Sequence, residues 1–82
     1  NKVIKPNKRF FNLKDAVLQV KNGINTNRNI FDEVEDFDIF GDKLLIEQVI
    51  LNLLDNALKY SKKDILLSLK NGILEVQDFG IG

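Results

Sequence analysis

DKLLIEQVILNLLDNALKYS, residues 42–61, is the stretch whose reading decides the fold. Asp42 follows Gly41 and can accept hydrogen bonds from the free amides that begin a helix. The run beyond it holds neither Gly nor Pro, and twenty helical residues would span roughly 30 Å. At about 100° per residue, Gln48, Asn52, Asp55, Asn56 and Lys59 fall on one arc. Ile46, Val49, Ile50, Leu51, Leu53, Leu54, Ala57 and Leu58 occupy most of the remaining circumference. That is too much apolar surface for a helix with one buried stripe. The helix is therefore expected to lie between layers, with its narrow polar stripe facing a cleft or solvent.

The stripe has two readings. It can be the wet side of the helix, but wet sides are usually Lys and Glu, and Asn costs up to ~0.7 kcal/mol relative to Ala inside a helix. It can instead be a site. A carboxamide oxygen is a neutral, hard ligand for Mg²⁺, and Lys59, about one turn beyond Asn56, can hold phosphate as a point charge. Spacing alone leaves both readings open.

Working outward, Arg9 to Asn12 with paired Phe10 and Phe11 reads as a short strand, and Asn12 as the cap of a helix in which Leu13, Ala16, Val17, Val20 and Ile24 recur at helical spacing. Arg28 to Val34 and Phe37 to Phe40 read as strands separated by an acidic turn at Glu35 and Asp36. After the long helix, Ile65 to Leu69 and Ile73 to Val76 flank Lys70-Asn71-Gly72. Asn-Gly favours the positive backbone angles of a tight hairpin turn. Residues 1–9, with Pro6 and scattered Lys and Asn, read as a linker or tail.

Composition narrows the function classes. With 82 residues and 44% hydrophobic content, the chain is at most one small globular domain with modest stability in reserve. It has no cysteine and no histidine. Disulfides, thiolate metal sites and cysteine nucleophiles are thus excluded, and the chain cannot itself accept a phosphoryl group on histidine. Residues 1–30 carry seven Lys/Arg against one acid and residues 31–82 carry five against eleven. The basic segment lacks interleaved aromatics or a nucleic-acid motif, so a solvated tail is the better reading and no nucleic acid is expected. No apolar run reaches the ~18 residues of a membrane span. Asn1 at the start and Gly82 at the end of a glycine-containing run give the expectation that the chain is a piece of a larger domain.

Its last residues, Asp78-Phe79-Gly80-Ile81-Gly82, place an acid at a strand end before two glycines that let a backbone approach a ligand. Alone the string is weak, since strand-to-turn junctions produce it by chance. Asp-Phe-Gly also occurs in eukaryotic-type protein kinases. Without histidine there is no His-Arg-Asp loop here, and no phosphate-covering glycine loop precedes it, so that reading fails.

NLLDNALKYS at 52–61 and DFGIG at 78–82, joined by a hairpin, together resemble two signature boxes of the ATP-binding domain of sensor histidine kinases. That domain belongs to the superfamily of gyrase, chaperone and mismatch-repair ATPases. GDKLLIEQVI resembles the usual entry into the helix, and FFNLKDAVLQV the first strand and helix; the resemblance covers residues 10–82. It implies an α+β fold, a two-layer α/β sandwich of the Bergerat type with helices on one face of a mixed sheet, here truncated. It implies ATP and Mg²⁺ as cofactors. Asn56 matches the magnesium-binding asparagine, and Asn52 the catalytic position one turn earlier that faces the metal and its waters. Lys59 matches the phosphate-contacting lysine, Tyr60 the aromatic bordering the nucleotide, and Asp78 the acceptor for the adenine amino group. Gly80 and Gly82 match the glycines that let the loop approach the base.

In gyrase and chaperone relatives the position of Asn52 is typically a glutamate that activates water. An amide cannot act as a general base, which favours phosphoryl transfer over hydrolysis. The resemblance thus implies the cytoplasmic ATP-binding part of a membrane-anchored two-component sensor. Such a kinase phosphorylates a histidine of its dimerisation domain and relays the phosphate to a response regulator. Rival readings are a non-catalytic kinase-like binding module, a serine-phosphorylating anti-sigma-factor kinase, or an ATPase of the same superfamily. The isolated chain is expected to be inactive, to bind ATP weakly or not at all, and to self-associate. Asn52, Asn56 and Lys59 are expected to line one groove with Asp78.

Overall fold

The structure, a computed structural model, describes residues 7–78. These form a small α+β unit with the order β1 (Lys8–Asn12), α1 (Leu13–Asn22), β2 (Ile30–Val34), β3 (Asp38–Asp42), α2 (Lys43–Tyr60), β4 (Ile65–Lys70) and β5 (Ile73–Asp78). β1 begins at Lys8, inside the stretch read as a tail. It pairs antiparallel with β3, where Phe10 faces Phe40 edge-on at 4.9 Å between ring centroids. The second sheet has the order β2-β4-β5, with β4 parallel to β2 and antiparallel to β5. Parallel neighbours need a crossover, and β3 with α2 supplies it.

Alternation along β4 sets the layers. Ile65, Leu67 and Leu69 are fully buried on one face, and the register places Ile30 and Val34 of β2 and Val76 and Leu74 of β5 beside them. Leu13 and Val17 of α1 and Ile50 and Leu54 of α2 complete this core. Both helices therefore cover one face of the mixed sheet. Each helix starts on a capping side chain: Asn12 Oδ1 accepts from the Asp15 amide at 3.0 Å, and Asp42 Oδ1 from the Leu45 amide at 3.2 Å. The β4–β5 turn has Asn71 and Gly72 at positive φ, as Asn-Gly requires.

The placing of α2 corrects one expectation. It does not lie between two layers among the described residues. It buries Ile50 and Leu54, while Leu44, Leu45, Val49, Leu51 and Leu53 remain exposed. α1, the three-stranded sheet and the β1–β3 pair all touch α2, yet these side chains stay uncovered. No helix among the described residues is long and apolar enough to cross a membrane.

Candidate functional site

The polar stripe of α2 lies on the side of the helix away from Ile50 and Leu54, and Asn52, Asn56, Lys59 and Tyr60 are all exposed. Gln48 Nε2 donates to Asn52 Oδ1 at 3.3 Å, an i, i+4 contact that orients the Asn52 carboxamide. The Lys59 ammonium sits 5.9 Å from the centre of the Tyr60 ring, at the outer limit of a cation–π contact.

Asp78 ends β5, beside Ile65 in the register. It follows Leu74 and Val76 at period two, and both of these pack on the core, so Asp78 is on the helix-bearing face of the sheet. A cleft there is lined by Ala57, Tyr60 and Ser61 of the α2 end and by Val76, Gln77 and Asp78 of β5. The sheet strand and the helix end quoted for the resemblance thus meet at one place.

The expected single groove is not what forms, however. Lys59 lines a second groove on the other shoulder of α2, with Asp55, Asn25, Thr26 and Arg28. The cleft at Asp78 contains neither Lys59 nor the two asparagines. The helical step of about 100° starts Lys59 and Tyr60 toward different shoulders, with Asn52 and Asn56 between them, while the Lys59 ammonium leans back to within 5.9 Å of the Tyr60 ring. Gly80 and Gly82 lie outside the described residues.

Both ends of α2 are held. Asp42 Oδ2 accepts from the Asn7 amide at 2.9 Å while Oδ1 caps the helix. The Asn7 bond, then the Leu45 bond, hold the Asp42 carboxyl below its ordinary value. At the other end the guanidinium of Arg28, from the α1–β2 connection, donates to the carbonyls of Leu58 and Ser61. These are among the carbonyls a helix end leaves without intrahelical partners. Sequence reasoning singled out neither Arg28 nor Ser61. A lone Arg in a loop carries no periodic signal, and its partners are 33 and 30 positions away.

Among the described residues, no three or more His, Cys, Asp or Glu side chains gather as a metal cluster. Two exposed carboxamides one turn apart fit a different role, contributing a protein oxygen to a Mg²⁺ that keeps most of its shell from water and phosphate. The donor chemistry at Asn52 and Asn56 is compatible with that.

No protein-family model matches the chain, and no curated protein matches it.

Proposed function

We propose that the chain is the ATP-binding part of a sensor histidine kinase, with a Bergerat-type fold. In this proposal it passes the γ-phosphoryl of ATP to a histidine on a dimerisation domain, for relay to a response regulator. The observation that carries the reading is that Asp78, which opens the second motif, lies beside the end of the first. The Asp78 end of β5 and the Tyr60 end of α2 share one cleft, on the face of the sheet that α2 covers. Adenine would occupy this cleft, with the Asp78 carboxylate accepting from its amino group and Tyr60 along its edge. The phosphates would run toward the crest of α2. There Asn56, with Asn52 one turn earlier, would present oxygen to Mg²⁺, and Lys59 would hold the phosphate as a point charge.

Bound Mg²⁺ would neutralise the triphosphate charge that opposes transfer. The chain's own residues bind and orient. Asn52 supports transfer to a protein side chain over hydrolysis, because a carboxamide takes no proton from water at neutral pH. Cytoplasmic placement follows from this reading, since ATP and the regulator are there.

The test is labelling of the complete reading frame with γ-phosphate-labelled ATP. A label lost in acid and retained in alkali is expected, as for a phosphorylated imidazole. An acid-stable label would point to serine, and no label at all, with ATP hydrolysed instead, would remove the kinase reading.

A further inference from the structure

We infer that Arg28 is a positioning residue for the phosphate end of the proposed site, holding the last turn of α2 so that Lys59 and Tyr60 keep their directions. The inference rests on the nucleotide reading above and adds a residue to it. A helix end frays unless its free carbonyls find partners, and Lys59 and Tyr60 occupy that end. The two carbonyls that Arg28 engages belong to Leu58 and Ser61, immediately before and immediately after this pair. Only a guanidinium offers two donors in a rigid fork, and its charge also complements the negative end of the helix.

Arg28 is itself held from behind. Its own amide donates to Thr26 Oγ1 at 3.2 Å, and the amide of its neighbour Asn29 donates to Asp64 Oδ1 at 3.1 Å. The Asn29 carbonyl accepts from the Ile65 amide at 3.0 Å. One half-buried side chain thus ties the α1–β2 connection and the start of β4 to the turn that carries the nucleotide-facing residues. Arg28 and Lys59 also line the same groove, so the clamp acts within reach of the side chain it orients.

A cap that only stabilises the fold would leave nucleotide selectivity alone, and this separates the two roles. In the complete reading frame, the experiment compares wild type with Arg28→Gln, Arg28→Lys and the core control Val17→Ala. It reads amide hydrogen exchange at residues 58–61 and magnetic-resonance titrations with Mg-ATP and with adenosine. Loss of the charged hydrogen bonds in Arg28→Gln is expected to speed exchange at these amides about ten-fold and to weaken Mg-ATP about ten-fold. Adenosine, which meets Tyr60 but has no phosphate for Lys59, should weaken less, by about three-fold on the same scale. Arg28→Lys should restore part of the loss, because an ammonium keeps the charge without the fork. Val17→Ala should lower the melting temperature yet leave the ratio of the two ligands as in wild type.

An unchanged ratio in Arg28→Gln overturns the inference, as does the same change of ratio in Val17→Ala. A wild-type complete reading frame that shows no Mg-ATP-dependent shifts overturns the nucleotide reading first and the positioning role with it. Intact wild-type binding with an indifferent Arg28→Gln overturns the positioning role alone.

Discussion

At the scale of single residues, Asn56 and Asp78 are assigned to different parts of the ligand, and their variants should fail differently. Asn56→Ala removes a metal oxygen from an exposed position, so the fold should survive. Mg-ATP binding should lose its dependence on Mg²⁺ while adenosine binding stays. Asp78→Asn replaces a pure acceptor with a group that also donates, so the preference for ATP over GTP should fall by about ten-fold, the cost of one mismatched polar contact. Parallel titrations of the two nucleotides, with and without Mg²⁺, check both. Both residues stand out in the sequence as candidates through the resemblance of the paired motifs, since spacing alone left each open to a structural reading. The division of the stripe was not legible in full. An arc on a helical wheel shows which side chains share a side, but not that a strand end meets Tyr60 on one shoulder while a loop meets Lys59 on the other. Arg28 was invisible for a simpler reason: only the folded chain brings it to Leu58 and Ser61.

Among the elements, the β4–β5 hairpin and the start of α2 offer the sharpest tests. Gly72 has φ of 74°, and a Cβ there would come within 2.8 Å of the Phe37 ring. Gly72→Ala should therefore cost more than about 1 kcal/mol, from backbone strain together with overpacking, as read by chemical denaturation. The Asp42 carboxyl is held below its ordinary value in the folded chain. The stability it adds is therefore present above the ordinary carboxylate range and is lost as pH falls through the lowered value. Asp42→Asn keeps a competent cap but removes the charge, so unfolding followed in acid should become less dependent on pH. Strand and helix positions follow closely from period and punctuation, because Asn12, Asp42 and Asn71-Gly72 act on their nearest neighbours. The surroundings of α2 did not follow from the sequence. Its apolar circumference says how much surface needs covering, whereas the cover depends on which layers are there, and among the described residues α1 and the two sheets cover only part of it.

For the whole molecule, a core this small leaves little margin. Leu54 is fully buried at the junction of both helices and β4, so Leu54→Ala should cost roughly 2–5 kcal/mol, a large part of a stability of about 5–15 kcal/mol. Thermal unfolding should show a melting temperature lowered by at least about 8 °C. Leu45, Val49 and Leu53, at i, i+4 and i+8, form an exposed apolar row on one flank of α2, and exposed apolar patches mark interaction sites. We propose that the chain self-associates through it. Sedimentation should show a mass that rises with concentration, and Leu45→Lys with Val49→Lys should shift the chain toward monomer. A monomer at all concentrations would contradict this.

The most direct test of the nucleotide site replaces Mg²⁺ with paramagnetic Mn²⁺ in the ATP complex and reads the broadening of backbone amides. The account predicts broadening centred on Asn52 and Asn56, with adenine-dependent shifts at Tyr60 and the Asp78 end of β5, and neither effect from Mn²⁺ alone. Broadening centred instead on the acidic stretch at Asp32 to Asp38, or the same pattern without nucleotide, would contradict it.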